Sequence, residues 1–199
     1  MPITIHSVAS TLKQDTALLH QEAENFLYPH LSNIQSYNDY AKIIRAFYGF
    51  YFPLEQQVGN YISSSDLADI SERSQALLIL KDLQSLPVEP GKLPICFSLP
   101  QIQSRAQAFG ALYVMEGSTL GGRMISKMLK KNKLLVFDET NLNFFNGYGD
   151  QTGEKWISFL EAINRQTETE PIIATANETF LLFGKWLKQV FDNAGTIYE

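Results

Sequence analysis

Apolar residues along this chain recur at intervals of three and four, the spacing that places them on one face of an α-helix. The pattern contains neither convincing alternating strands nor the Asn-Gly turns that would join them. We therefore predict an all-α, single-domain helical bundle over residues 1–199, with about six to eight helices. The main helical runs lie at about residues 11–27, 36–63, 69–86, 101–132, 152–166 and 171–194.

The first of these helices has sequence signals at both ends. Thr11 and Gln14 have the spacing of a capping box, and Tyr28-Pro29 predicts where the helix stops. Its apolar stripe consists of Leu12, Thr16, Leu19, Ala23 and Leu27. His20 lies at the edge of this stripe, so we expect its side chain at the border between core and solvent.

Prolines and glycines mark the irregular parts of the chain. Pro53 removes a backbone donor from the aromatic-rich second helix and predicts a kink there. Four prolines between residues 87 and 100 predict a loop that crosses the surface. Cys96, within that loop, is the single cysteine and can form no intrachain disulfide, so we expect a buried or inert thiol. A second loop is predicted at 146–149.

Composition and charge narrow the classes of function. Hydrophobic residues make up 45% and charged residues 19% of the 199 positions, which suits a globular domain with room for a ligand. The net charge of -5 argues against nucleic acid as the main partner, because binding phosphates requires a basic face. No apolar run approaches the roughly 20 residues that span a bilayer, and no signal-peptide pattern opens the chain. We therefore expect a soluble, cytoplasmic protein without a membrane partner.

Three polar residues of the first helix share one face. Lys13, His20 and Glu24 are seven and four positions apart, so their side chains project in nearly the same direction. A histidine that ligates a metal usually donates its other ring N–H to an acceptor, and Glu24 is within reach of His20. Lys13 lies roughly 10 Å along the axis and would meet a negative group. A flat, iron-bearing ligand with carboxylate arms fits this spacing.

The fourth helix contains an unusual density of glycine in the segment Tyr113 to Arg123. Each interior glycine costs a helix roughly 1 kcal/mol relative to alanine, so Gly117, Gly121 and Gly122 require an explanation. Gly117 and Gly121 share a face, where a missing side chain lets the backbone approach a ligand closely. A tight helix crossing is the structural alternative.

The two segments together resemble the heme oxygenase family. The first-helix run is similar to the proximal helix of that family, matching its Leu-Lys-x-x-Thr-x-x-x-His-x-x-Ala-Glu pattern at every fixed position. The stretch from Glu116 to Gly121 resembles the distal helix of the bacterial branch. The resemblance implies a heme oxygenase-like bundle in which the ligand is held between a proximal helix and a kinked distal helix.

The resemblance also implies roles for individual residues on the proximal side. His20 is expected to be the axial ligand of the heme iron, with Glu24 as the acceptor for its imidazole. Lys13 is similar to the lysine that binds a heme propionate. Tyr113 resembles a tyrosine that contacts a propionate in bacterial members.

On the distal side, the resemblance implies catalytic positions at Gly117, Ser118 and Gly121. The two glycines are expected to give iron-bound oxygen room, and Gly122 is expected to contact the heme. Ser118 occupies the position at which mammalian members carry an aspartate that orders a water network. Bacterial relatives also have a serine at this position. The resemblance does not specify which groups deliver the proton.

The activity implied by the resemblance is oxidative ring opening. Heme serves as cofactor and substrate, and dioxygen and external electrons convert it to biliverdin, carbon monoxide and ferrous iron. The implied partners are an electron donor such as ferredoxin or a reductase, and a downstream user of biliverdin.

Basic residues near the end of the glycine-rich helix form either a docking patch for an acidic donor or a solvated face that complements the helix dipole. They are Arg123, Lys127, Lys130, Lys131 and Lys133.

Other interpretations remain open at the level of sequence. A non-enzymatic heme carrier or sensor would use Lys13, His20 and Glu24 equally well, and a purely structural helical interaction protein would use none of them. A thiaminase-like or quinone-cofactor enzyme on a similar bundle requires neither motif. A ferritin-like di-iron site is disfavoured because it uses Glu-x-x-His pairs, which the chain lacks.

Two further predictions concern side chains without an assigned role. His6 and His30 have no matching partners and are expected at the surface. Phe180, Phe183 and Trp186 have helical spacing in the last helix, and we interpret this stripe as core, with a cofactor wall as the alternative.

Overall fold

A computed structural model of the protein describes residues 7–192, which form an all-α bundle. The prediction of the fold class is confirmed, since these residues contain helices and no strand. The most extensive helix contact is between α5 and α8, and α3 packs against α4. The α-helices are α1 Val8–Asp15, α2 Ala17–Ser32, α3 Tyr37–Gly59, α4 Gln75–Ser85, α5 Arg105–Leu129, α6 Asn143–Asn146, α7 Thr152–Asn164 and α8 Thr169–Asp192.

The predicted first helix is two helices joined at Thr16. Ser7 caps α1, its hydroxyl accepting the Ser10 N–H at 3.2 Å, so the expected capping box at Thr11 is wrong. Thr16 interrupts the regular geometry with φ −94° and ψ −6°, and its hydroxyl donates to the Leu12 carbonyl at 2.7 Å. The chain thereby turns between Lys13 and His20, two of the residues predicted to share a face.

The predicted end of that helix at Tyr28-Pro29 is also wrong, because α2 continues to Ser32. Pro29 lacks only its own N–H, and its carbonyl still accepts the backbone N–H of Asn33 at 3.2 Å and its side-chain amide at 2.9 Å. Leu31 in this last turn is buried and anchors it to the core.

Helix α3 corresponds to the second predicted helix, and its start agrees closely with the sequence prediction. Ser36 and Asp39 form a reciprocal capping box, which satisfies backbone donors at the N-terminus of α3. The helix continues without a break through Pro53. Its aromatic side chains fill the centre of the bundle, and Phe50 and Tyr51 are almost completely buried.

The third predicted helix, expected from about residue 69, begins six residues later, as α4. Residues Ile70–Glu72 form a single 3-10 turn, and α4 starts at Gln75 after the cap residue Ser74. The reason is the Glu55 carboxylate of α3, which accepts the N–H groups of Gln75 at 2.6 Å and Ala76 at 3.0 Å. A tertiary contact therefore fixes this helix start.

The loop predicted at 87–100 has no regular secondary structure and lies tightly against α3. The Cys96 N–H donates to the Gly49 carbonyl at 2.8 Å, and a Cβ on Gly49 would lie 2.3 Å from the Pro94 carbonyl oxygen. Cys96 is buried, as expected, and burial raises the pKa of its thiol.

Helix α5 runs through the middle of the bundle and carries the glycine-rich segment. Ser104 caps it, and it is uninterrupted from Arg105 to Leu129. Between α6 and α7 the backbone turns at Gly147 and Gly149, whose φ values of +57° and +59° favour glycine. None of the helices between residues 7 and 192 is long and apolar enough to cross a membrane.

Candidate active site

A cavity of about 370 Å³ lies between the α1–α2 segment and α5. Its size falls within the usual range of about 300 to 1,000 Å³ for small-molecule sites. The structure places all eight predicted site residues on its lining: Lys13, His20, Glu24, Tyr113, Gly117, Ser118, Gly121 and Gly122.

On the α2 side, His20 and Glu24 form a pair one helical turn apart. The Nε2 atom of His20 lies 3.3 Å from the Oε1 atom of Glu24, and both side chains are about half exposed, at 54% and 56%. The imidazole also packs 5.3 Å from the ring of Phe180 on α8. The carboxylate and the phenyl ring together hold the orientation of the imidazole beside the cavity.

Lys13 supplies positive charge near the end of α1. Its side chain is exposed, lines the cavity, and forms no ion pair with any carboxylate of residues 7–192. An anionic group of a ligand would therefore meet a cation that has no competing partner in this part of the chain.

Tyr113 lines the cavity from the α5 side. It is largely buried, its ring lies 5.7 Å from that of Trp156, and Thr16 at the α1–α2 junction lines the same cavity. Burial raises the pKa of the Tyr113 phenol, so the hydroxyl keeps its proton at neutral pH.

The glycines of α5 fall into two groups that sequence could not separate. A Cβ on Gly121 would meet no atom within 4 Å, and one on Gly117 would only touch Trp156 at 3.8 Å. By contrast, a Cβ on Gly122 would lie 2.5 Å from the Phe145 carbonyl oxygen, and one on Gly110 would lie 2.3 Å from that of Ile172. The tight helix contact therefore explains Gly110 and Gly122, while Gly117 and Gly121 leave free space on the cavity side.

Ser118 lies between these glycines and lines the cavity together with a buried tyrosine, Tyr51. The Ser118 hydroxyl donates to the Met115 carbonyl at 2.7 Å. The pKa of Tyr51 is raised mainly by burial. Tyr51 lines the cavity and was not predicted as a site residue.

The rest of the lining is aromatic and apolar. The interpretation of the α8 stripe as core holds for Trp186, whose indole N–H donates to the Ala46 carbonyl at 2.8 Å, whereas Phe180 and Phe183 line the cavity. Sequence reasoning also missed several aromatic residues, of which Phe47 and Tyr51 could have been found from their i, i+4 spacing. These are Phe47, Tyr51, Phe144, Phe145 and Trp156.

His30 lies apart from this lining. His30 is half-buried rather than at the surface as expected, because its ring packs 4.1 Å from Phe191 and 5.1 Å from Phe26. Burial lowers the pKa of His30. His6 lies outside the described residues.

The basic residues at the end of α5 are only partly neutralised. Lys130 is ion paired with Glu139, and Arg123 lies 3.5 Å from Asp150. Lys127, Lys131 and Lys133 are exposed and form no ion pair within residues 7–192.

Sequence comparison finds heme oxygenases. The family model described as heme oxygenase matches residues 95–189, just under half of the chain, which includes the glycine-rich helix and excludes His20. A heme oxygenase of Xanthomonas campestris pv. campestris (strain 8004) is 31% identical over 96 residues, covering 47% of this chain and 54% of that protein. The match thus spans about half the length of this relative.

Comparison with solved structures extends the likeness to almost the whole chain. The NO- and CO-bound heme oxygenase from Neisseria meningitidis superposes with a TM-score of 0.72 at 22% identity, covering 96% of this chain and 94% of the other. Heme oxygenase from Leptospira interrogans gives 0.70 at 20%, covering 92% and 100%. Heme oxygenase-1 from Synechocystis sp. PCC6803, in complex with heme, gives 0.69 at 19%, covering 94% of both chains. The resemblance to the heme oxygenase family is thereby confirmed, in sequence over residues 95–189 and in fold over nearly the whole chain.

Proposed function

We propose that this protein is a heme oxygenase that cleaves heme oxidatively to biliverdin, carbon monoxide and ferrous iron, using dioxygen and external electrons. The proposal rests on one observation: two walls of the same cavity differ in the groups that they present. His20 lies on one wall, and the side-chain-free backbone of Gly117 and Gly121 lies on the other.

The residues present fit a heme in shape and charge. The empty space above Gly121 is where a side chain would stand in an ordinary helix. Aromatic and apolar groups form most of the lining and suit a flat macrocycle. Lys13 and the Tyr113 hydroxyl are the groups that would hold its carboxylate arms.

The chain's own residues contribute ligation, orientation and space. His20 would hold the iron, and Glu24 would accept the second imidazole N–H and fix the ring. Gly117 and Gly121 keep the opposite side open, while the hydroxyls of Ser118 and Tyr51 are the polar groups available to orient water there. Heme, when bound, supplies the iron that activates dioxygen next to its own ring.

Mixing the purified protein with hemin, then adding reductant and air, tests the proposal. We expect a Soret band on hemin addition, followed by its loss, a green biliverdin spectrum and release of carbon monoxide. Hemin binding without biliverdin or carbon monoxide would identify a heme carrier or sensor instead. Failure to bind hemin would favour a structural interaction protein.

His20→Ala is the variant that tests the ligand assignment, and His30→Ala is its matched control. We expect His20→Ala to change the heme spectrum and suppress biliverdin formation, because the imidazole ligand is lost. His30 packs against Phe191 away from the cavity, so its replacement should leave the spectrum unchanged. An unchanged spectrum in His20→Ala would contradict the assignment.

We further propose that the unpaired lysines near the end of α5 dock an acidic electron donor such as a ferredoxin or a reductase. Charge complementarity mainly speeds encounter, so the effect should be strongest at low salt. Lys130 is already paired with Glu139, which makes Lys127 and Lys131 the sharper targets. Reversing both to Glu should slow donor-driven turnover and leave ascorbate-driven turnover unchanged, while Lys185→Glu/Lys188→Glu on α8 should change neither. Equal slowing with both electron sources would reject docking.

A further inference from the structure

Behind the glycine-rich stretch of α5, on the side away from the cavity, lies a buried polar cluster centred on Glu116. The Glu116 side chain is 1% exposed and is not part of the cavity lining, although Gly117 and Ser118 next to it are. Its Oε2 atom accepts Nη1 of Arg73 at 2.5 Å, and its Oε1 atom accepts the Tyr148 hydroxyl at 2.7 Å. Both carboxylate oxygens are therefore bound by groups from other segments of the chain.

The partners of Glu116 are themselves held in place. Arg73 has a fully buried side chain and donates to Asp69 at 2.8 and 3.0 Å and to the Lys155 carbonyl at 3.0 Å. Lys155 donates to Asp69 at 2.7 Å. Tyr148 accepts the side-chain amide of Gln75 at 3.0 Å. We name these six residues, Asp69, Arg73, Gln75, Glu116, Tyr148 and Lys155, the Glu116 cluster.

The cluster joins α5 to three separate parts of the fold. Asp69, Arg73 and Gln75 come from the segment around the start of α4, Tyr148 from the loop between Gly147 and Gly149, and Lys155 from α7. Burial and the neighbouring Glu116 carboxylate raise the pKa of Tyr148, so the phenol stays protonated and remains a donor. A shift of α5 by one residue, about 1.5 Å along its axis, would break these bonds together.

The cavity side of α5 offers no comparable support. Gly117 and Gly121 have no side chains, and a Cβ on Gly121 would touch nothing within 4 Å. The backbone between these glycines therefore depends on contacts made elsewhere on α5. Two such contacts lie close by: the Glu116 cluster behind the helix, and the close approach of Gly122 to Phe145 at the border of the cavity.

We infer that Glu116, Arg73 and Tyr148 are positioning residues that set the height and rotation of the Gly117–Gly121 backbone over the cavity. The effect of this positioning on heme rests on the proposed function, in which the Gly117–Gly121 backbone faces bound heme. The positioning itself is a property of the ligand-free protein and can be measured without heme.

Hydrogen exchange of the ligand-free protein tests the positioning directly. Tyr148→Phe removes a donor to a buried carboxylate, and we expect amides of residues 117–122 to exchange about tenfold faster or more. Amides in the middle of α8 should keep their rates. The matched control is Tyr40→Phe, which removes another buried tyrosine hydroxyl, bonded to the Asn141 carbonyl at 3.1 Å and outside the Glu116 cluster. Unchanged exchange at 117–122, or equal acceleration throughout α5 and α8, would overturn the inference.

Glu116→Gln provides a second variant of nearly the same shape, in which the charge and one of the two acceptor oxygens are lost. It should accelerate exchange at 117–122 in the same way, because the amide NH2 group cannot accept from Arg73 or Tyr148 and the remaining oxygen is a weaker acceptor. Wild-type exchange in this variant would likewise contradict the role of the cluster.

A spectroscopic measurement connects the positioning to the cavity. In hemin-loaded, reduced, carbon monoxide-saturated protein, we expect Tyr148→Phe to shift or broaden the carbon monoxide stretching band, while hemin affinity stays within about twofold, since the His20 wall is untouched. Tyr40→Phe should leave the band unchanged. An unaltered band in Tyr148→Phe would show that the cluster is structural only. If wild-type protein bound no hemin, the proposed function would fail while the exchange result would still decide the positioning.

Discussion

The two walls of the cavity differ in what they are made of and in how they are supported. The α1–α2 wall presents functional groups on an exposed surface: Lys13, His20 and Glu24 are all exposed, and only Leu27 and Leu31 of α2 are buried. The α5 wall presents missing side chains on a helix that is buried along most of its length. One wall supplies chemistry at small structural cost, and the other supplies shape that the rest of the fold maintains. Substitutions should therefore separate the two properties.

The largest effect is expected from filling the space on the α5 wall. Gly121→Leu places a side chain in the open region of the cavity, and we expect turnover with hemin to fall about a hundredfold or more, because displacement of about 1 Å at a reacting centre can cost that much. Hemin should still bind through His20. Single-turnover biliverdin formation measures the loss.

Gly184→Leu is the matched control for that variant. Gly184 is also a helical glycine at which an added Cβ would meet no atom within 4 Å, but it lies on α8 and outside the cavity lining. It should retain wild-type turnover. Full turnover in Gly121→Leu would show that the α5 wall does not face the reacting part of the ligand.

The next effect is on stability, at the neighbouring glycine. Gly122→Ala would place a Cβ 2.5 Å from the Phe145 carbonyl oxygen, so the backbone of α6 or α5 must move. Overpacking of this kind costs about 1 to 3 kcal/mol, and the better helix propensity of alanine returns about 1 kcal/mol of it. We expect a net loss of up to about 2 kcal/mol in the free energy of unfolding, measured by urea denaturation. A gain of about 1 kcal/mol, the effect of helix propensity alone, would contradict the close contact.

These glycines also show which features could be predicted from the sequence and which could not. The interval of four between Gly117 and Gly121 predicts a bare helix face, and the structure turns that face towards the cavity. Gly122 was grouped with them, although it is held against Phe145 from a distant part of the chain. Sequence spacing specifies which residues share a helix face, but the neighbour of that face is decided by tertiary packing.

The same distinction applies to the other features. The order of the helices and the face shared by His20 and Glu24 follow from local periodicity and were predictable. The start of α1 and the late start of α4 depend on Ser7, Ser74 and Glu55, whose contacts arise from caps and from another helix. Glu116 belongs to the stretch that resembles the distal helix, but its burial and its partners were not predictable, because a carboxylate in a helix usually faces water and Arg73 is 43 positions away.

Gly121→Ala is expected to raise stability slightly, whereas Gly122→Ala is expected to lower it. The added methyl group meets no atom within 4 Å, so it gains helix propensity without a clash. We expect the free energy of unfolding to rise by about 1 kcal/mol, as it should in Gly184→Ala, while only Gly121→Ala lowers turnover. Thermal denaturation of the three proteins gives the comparison. A loss of stability in Gly121→Ala would mean that this glycine is packed like Gly122, and the two groups of glycines would merge.

The smallest effect is expected on the exposed wall, from Lys13→Met. The lysine has no ion pair within the described chain, and an exposed charge pair formed with a ligand carboxylate contributes about 0.2 to 1 kcal/mol. Hemin affinity should therefore fall about two- to fivefold at low salt, with almost no change in stability, and the difference from wild type should shrink as salt screens the interaction. Lys185→Met removes an exposed lysine from α8 and should leave affinity unchanged. A salt-independent loss in Lys13→Met would point to packing rather than charge, and the α1–α2 wall would then resemble the α5 wall in acting through shape.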